Sequence, residues 1–260
     1  SRPMAHSLDR IAADLAALGV RHGDTLMVHA SLSALGRVEG GAATVVEALI
    51  ATVGADDPSG GTLVMAGFRD SLSVPGRHRT LPDCLHQEAR RVCPWLPLTE
   101  TPTSMGAIPE AFRQRPGTRR SPHPCTAYLA LGAGAEALCA AHPLPFATGP
   151  ASPAGRLYEG ETRQLLLGVG FNRLSQLHHA ETRLPHGRRK TRIVALENRT
   201  LLAEDAGDDR DVHFPEIGRR FLAAGLGQTG KIGDAEAILM ATREIDDFAY
   251  AYLADALHPL

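Results

Sequence analysis

The sequence predicts an α/β protein: a single three-layer α/β/α domain over residues 1–260, with a mixed, largely parallel sheet and a hairpin insertion in the C-terminal third. Three observations carry this. Short apolar runs at 25–29, 62–65, 126–131 and 164–167 have strand length and no helical period. Segments with apolar residues three and four apart alternate with them, the order that builds a sheet flanked by helices. No internal repeat, low-complexity tract or linker breaks the 260 residues, a length that one large α/β domain can fill.

The elements follow in order. Ile11, Leu15 and Leu18 share one helical face, with Ser7 as start and Gly19 as stop. The run 25–29 is the first strand. A small-residue loop, 30–36, leads through Gly40-Gly41 into a helix carrying Val45, Val46, Leu49, Ile50 and Val53. Gly60-Gly61 turns into the second strand. Residues 71–104 carry proline and arginine with weak periodicity, so they read as loop with one helix near 85–92. A short helix at 108–113 is stopped by Pro116-Gly117, and the third strand follows at 126–131. Ser152-Pro153 opens a helix, serine as cap and proline in the first turn, before the fourth strand at 164–167. A hairpin is expected at 192–202 around Glu197-Asn198, then helices at 214–224 and 242–257 with a strand at 235–240 between them.

Composition excludes several classes. The net charge of −2 argues against a nucleic-acid binder that relies on bulk positive potential. No apolar run approaches the roughly 20 residues of a membrane span, and the first residues lack the apolar core of a signal peptide. Cys84, Cys93, Cys125 and Cys139 form no C-x-x-C pair, so they read as buried thiols of a reducing compartment. A cytoplasmic protein is expected. Charge is unevenly spread: Arg113, Arg115, Arg119 and Arg120 crowd one stretch, Arg188, Arg189, Lys190 and Arg192 another, and an acidic stretch fills 204–211. Each run is either a solvated face or part of a site for a ligand of opposite charge.

Chemistry concentrates at the fourth strand. The run 164–167 ends in Gly168-Val169-Gly170, and Leu177-His178-His179-Ala180-Glu181 follows on a helix-prone segment. Open α/β sheets place ligands beyond the carboxyl ends of their strands, and imidazole suits proton transfer near neutrality. Adjacent helical residues point about 100° apart, so His178 and His179 do not chelate one ion. His178 and Glu181 share a face. Spacing alone leaves open whether they are a base with its orienting carboxylate or a surface pair. The loop from Ser31 to Gly41 could cradle phosphates, but it lacks the Gly-Lys-Ser/Thr ending of a P-loop. Gly132-Ala133-Gly134 fits a dinucleotide fingerprint loosely, without the distal acidic residue. No G-x-S-x-G is present.

Six segments in order resemble the aminoglycoside 3-N-acetyltransferases: 28–41, Gly61-Thr62-Leu63-Val64-Met65, Arg120-Ser121-Pro122-His123-Pro124, 152–157, Leu177-His178-His179-Ala180-Glu181 and 230–235. The resemblance spans about residues 8–255 and implies an α/β/α fold unlike that of the common small amine acetyltransferases. It implies acetyl-CoA as donor and the 3-amino group of a 2-deoxystreptamine antibiotic as acceptor, by direct transfer, with no metal. His178 takes the place of the family's base, with Glu181 as local and Glu216 as distant candidate for its orienting carboxylate. Ser31, Leu32 and Ser33, then Ser104, Met105 and Gly106, and His123 are expected on the coenzyme side. Asp70, Asp211 and Glu216 are expected to hold the antibiotic's ammonium groups. The partners implied are acetyl-CoA and an aminoglycoside, with neither nucleic acid nor membrane, and the chain a monomer or homodimer. The alternative is the same chemistry on a different amine metabolite. A metal-dependent hydrolase using His178, Glu181 and another histidine such as His123, or a protein that holds CoA without turnover, are the readings from other classes.

Overall fold

The computed structural model describes residues 4–185, 187–207 and 211–257. The amino-terminal half runs α1 (Leu8–Leu18), β1 (Thr25–Ala30), α2 (Ala42–Val53), β2 (Thr62–Phe68), β3 (Leu72–Pro75), α3 (Asp83–Val92), α4 (Ala107–Gln114), β4 (Arg119–Arg120) and β5 (Thr126–Gly132). Then come α5 (Ala135–Cys139), α6 (Pro153–Glu159), β6 (Thr162–Leu167), α7 (Gln176–Arg183), β7 (Arg189–Ala195), β8 (Thr200–Ala206), α8 (Phe214–Ala223), β9 (Gln228–Ile232), β10 (Ala235–Ala241) and α9 (Thr242–Ala256). The expected caps are in place. The Ser7 side chain accepts the Arg10 N–H, and Gly19 closes α1 in the left-handed region at φ +116°. Ser152 accepts the Ala154 N–H ahead of Pro153.

Seven strands form the main sheet in the order β4-β5-β2-β1-β6-β10-β9. The parallel part is its centre, where β1 lies between β2 and β6. The flanks are antiparallel. Val28 pairs with Met65, and Ala30 with Leu167. The carboxyl ends of the three parallel strands therefore meet at one edge.

Alternation along each strand divides the core between two faces. Leu26, Val28, Leu63, Met65, Leu165 and Leu167 pack with α1, α2 and α4. Met27, Val64, Tyr128 and Ala130 pack with α5 and α6 on the other side, and Leu166 and Met240 with α7, α8 and α9. These are the three layers.

The 192–202 hairpin is longer than expected, β7 and β8, and it stands outside the main sheet. It joins β3 in a separate three-stranded sheet of order β3-β7-β8. Residues 71–104 thus hold a strand as well as the expected helix. The strand is four residues ending in proline, and its partner Ile193 lies far along the chain, so no local pattern announces it. β9 was equally silent, because the edge sequence Gln-Thr-Gly-Lys-Ile is mostly polar and exposed. The dinucleotide reading of Gly132-Ala133-Gly134 fails on topology. β5 runs antiparallel to β2 and α5 has five residues, so no βαβ unit exists there. Among the described residues no helix is long and apolar enough to cross a membrane.

Three buried histidines bear on stability. Burial pushes His29 and His142 down to about 4, and His123 to about 3. An unfolded histidine titrates near 6.5, so the unfolded chain takes up protons first. Stability held above that pH is lost as pH falls through the window from about 6.5 to the folded values, at up to about 1.4 kcal/mol per pH unit for each ring. The expected result is a melting temperature that drops steadily from pH 6.5 to 4.5, above the range where the depressed carboxylates of Glu110 and Glu216, near 2, contribute. A flat profile in calorimetry over that window would refute this.

Candidate active site

Two cavities open at the edge where the parallel strands end. The first, about 530 Å³, is walled by Ser31, Leu32 and Ser33 after β1, by Ser104, Met105 and Gly106 before α4, and by Gly168, Val169 and Arg173 after β6. Six of the seven residues expected on the coenzyme side are thus brought together. The Ser31 and Ser33 hydroxyls meet at 3.0 Å. The Ser31 N–H donates to the Leu167 carbonyl, which ties the loop to β6. Gly106 caps α4 at φ +113°, a backbone that glycine adopts without strain.

The second cavity, about 250 Å³, is lined by Phe68, Arg69, Asp70 and Ser71, by Thr126 and Thr148, by His178, and by Lys190, Arg192, Asp205 and Ala206 of the smaller sheet. Met105 belongs to both walls. Asp70 is exposed there, 3.5 Å from the Ser104 hydroxyl.

His178 sits on α7, whose apolar face (Leu177, Ala180) is buried against α8 and α9. Its Nδ1 lies 2.9 Å from Glu181 Oε1, and its Nε2 lies 3.7 Å from Asp211. Phe214 packs at 5.0 Å from the ring. Burial disfavours the charged imidazole, but the Glu181 hydrogen bond and charge, with the charge of Asp211, outweigh it, and the pKa is raised. Glu181 is buried. Gly207 closes over it at φ +85°, and a Cβ there would lie 2.8 Å from the Glu181 carboxylate. Asp211 is held at φ +50°, a left-handed backbone that Asp tolerates better than most residues.

His179 has the opposite fate. It is buried, with Nδ1 2.7 Å from Asp246 of α9. Asp246, fully buried, also accepts Gln176 Nε2 and Arg183 at 2.8 Å each. Tyr158 covers the His179 ring at 4.9 Å. The twin histidines therefore divide, one facing the cavity and one fastening α7 to α9.

Two expected site residues lie elsewhere. His123 is fully buried. Its Nδ1 accepts the Cys125 and Thr126 N–H groups, and its Nε2 donates to the Leu144 carbonyl. Both nitrogens are spent on the turn that aims Thr126, so the ring has nothing left for a coenzyme. His123 therefore offers no ligand to the hydrolase reading that named it. Glu216 lines neither cavity. Arg219 and Arg220, one turn on along α8, take both its oxygens at 2.7–2.8 Å and hold its carboxyl down to about 2. The carboxylate on His178 is Glu181, and the acid near its outer nitrogen is Asp211.

The charged runs also resolve. Register places Lys190 opposite Asp205, and Arg192 reaches Asp205 at 3.1 Å. Arg77 and Arg189 reach Glu204. Basic and acidic runs pair as strands of one hairpin, which long-range strand pairing alone could reveal. Residues 208–210 of the acidic stretch lie outside the described residues. Arg173 and Gly207 went unmarked in the sequence, because an isolated arginine or glycine carries no pattern.

Comparison with known proteins matches this geometry to a family. The family model described as aminoglycoside 3-N-acetyltransferase covers residues 27–254. The chain is 38% identical to aminoglycoside N(3)-acetyltransferase VII of Streptomyces paromomycinus, over 95% of this chain and 91% of the relative. Among solved structures it resembles AAC-IIIb in binary complex with CoASH (TM-score 0.83, 31% identity, 99% of each chain). It also resembles AAC-VIa bound to sisomicin (TM-score 0.83, 29% identity, 98% of this chain and all of that one). The chain belongs to the aminoglycoside 3-N-acetyltransferase family and is an acyltransferase.

Proposed function

We propose that the chain transfers the acetyl group of acetyl-CoA directly to the 3-amino group of the 2-deoxystreptamine ring of an aminoglycoside, with His178 as general base. One observation carries the reading: an imidazole whose inner nitrogen is set by buried Glu181 opens on a cavity that shares Met105 with the cavity of the coenzyme loop. The first cavity takes acetyl-CoA and the second takes the antibiotic, so Met105 stands where the two substrates meet.

The chemistry follows from that arrangement. An amine attacks a thioester only as the free base. With Nδ1 engaged by Glu181, the Nε2 lone pair takes the ammonium proton. With that first proton released to solvent, the amine nitrogen bonds to the thioester carbonyl carbon, Nε2 takes the second N–H proton, the C–S bond breaks, and the imidazolium gives that proton to the leaving thiolate. Holding both reactants in adjoining cavities supplies much of the acceleration. Asp70 and Asp211 meet other ammonium groups. None of the four cysteines lines either cavity, which supports transfer without an acyl-enzyme. Donor atoms of His178, Glu181 and Asp211 lie within 4.8 Å of one another, as cation ligands do; the Nδ1–Glu181 bond uses the same atoms to orient the base.

The test is free-thiol release from acetyl-CoA with a panel of aminoglycosides and simple diamines, in the presence of a chelator, with the product mapped by NMR. The expected result is chelator-insensitive turnover with acetyl on the 3-amino group. Acetylation of only unrelated amines would overturn the substrate, and loss of turnover on chelation would overturn the mechanism.

A further inference from the structure

His29 stands near the carboxyl end of β1, in the wall of the first cavity. It is 8% exposed, and nothing in the mechanism above uses it. Its Nε2 is sealed from solvent, with no hydrogen-bond partner among the described residues. A buried nitrogen left so loses the water bonds it would have in the unfolded chain. Gln164 of β6 projects from the same face of the sheet, and its amide nitrogen donates to the Thr242 hydroxyl at 3.1 Å. That fixes the other end of the amide as an acceptor, and Gln164 Oε1 is unpartnered too. An orphan that can donate and an orphan that only accepts thus project from one face of neighbouring strands, where register sets Met27 opposite Gln164 and His29 opposite Leu166. They are close enough that the Gln164 amide raises the ring's pKa against the larger lowering by burial.

This arrangement selects a tautomer. The proton sits on Nε2, toward Gln164, and the lone pair is on Nδ1. Burial keeps the ring neutral at physiological pH, so it offers the cavity an acceptor without a charge. The arm of acetyl-CoA carries secondary amides, whose N–H groups need such acceptors once out of water.

We propose that His29 is a donor-binding residue, whose Nδ1 accepts a hydrogen bond from an amide N–H of the acetyl-CoA arm as it passes between the 31–33 loop and Met105. The inference rests on reading the first cavity as the coenzyme cleft. It places a binding contact on the strand itself and not only on the loop that follows.

The experiment measures acetyl-CoA and aminoglycoside binding separately by calorimetry. His29→Phe keeps a ring of similar size without either nitrogen, and His29→Asn returns an acceptor near the Nδ1 position. The expected result for His29→Phe is an acetyl-CoA Kd and KM raised about tenfold, with aminoglycoside Kd and kcat within about twofold; Asn restores most of the loss. A purely structural role would weaken both ligands together. Long-range ¹H–¹⁵N spectra of the wild-type protein give a reading independent of any variant. They should show an Nε2-protonated His29 whose Nδ1 resonance moves upfield when CoA is added. Wild-type binding with an unaffected Phe variant, or an unmoved Nδ1 resonance, overturns the proposal alone. A wild-type chain that binds no acetyl-CoA overturns the cleft assignment and this contact with it.

Discussion

Replacing His178 by alanine lowers acetyl transfer by at least about a hundredfold, while acetyl-CoA still binds. The ring lines the second cavity and not the first, so the coenzyme wall is untouched. What disappears, on the proposed mechanism, is the proton acceptor for a group that is mostly ammonium at neutral pH. The pKa of His178 is raised, so kcat/KM should climb with pH along a limb centred above the ordinary histidine value near 6.5. Glu181→Gln removes the charge that raises it, so that limb should move to lower pH, with a smaller loss of rate than the alanine variant suffers. Stopped-time thiol assays from pH 5.5 to 9 read both effects. Near-wild-type turnover by His178→Ala, or a limb that Glu181→Gln leaves in place, refutes the assignment.

The second large effect is on stability. Asp246→Ala should cost about 3 kcal/mol, which for a chain of this size is a fall in melting temperature of roughly 6–12 °C. Its carboxylate is fully buried and binds Gln176, His179 and Arg183 at once. Removal takes from three groups of α7 the partner that ties them to α9, and Gln176 keeps the Ala154 carbonyl. Arg183 keeps Asp247 as a partner and stacks on Tyr158 and Tyr250, which holds the loss to the lower end of the range for breaking a buried ion pair. The same variant should lower kcat, because α7 carries His178. A shift under about 2 °C by calorimetry, on the same scaling, would show that the helix is held by its apolar face alone.

What the sequence showed and hid follows from the range of each signal. Helix α1 was legible from Ile11, Leu15 and Leu18 between Ser7 and Gly19, because caps and period are local. The strand expected at 164–167, which runs Thr162–Leu167, and the helix-prone segment of His178 were legible from their own residues. The pairing of β3 with β7 was not, since Leu72 meets Ile193 only after 120 residues of intervening chain. Within the site, His178 and Glu181 could be placed on one face by counting, but counting could not tell the base from a surface pair. Geometry adds a 2.9 Å contact, a buried carboxylate and a cavity on the far side, which support the proposal of a base with its carboxylate. His123 and Glu216 misled because each lies in or beside a recognisable motif, while their partners, the Cys125 and Thr126 amides and the Arg219 and Arg220 side chains, show only in three dimensions. Asp205 was lost among neighbouring charges until strand register set it opposite Lys190.

The smaller sheet shares no ladder with the larger one, yet it supplies Lys190, Arg192, Asp205 and Ala206 to the second cavity. Substitutions along β7 and β8 can therefore reshape the second cavity, the proposed antibiotic site, while the strands beneath the first stay in register. On the proposed reading, acceptor preference can change through this hairpin while the coenzyme cleft is left alone.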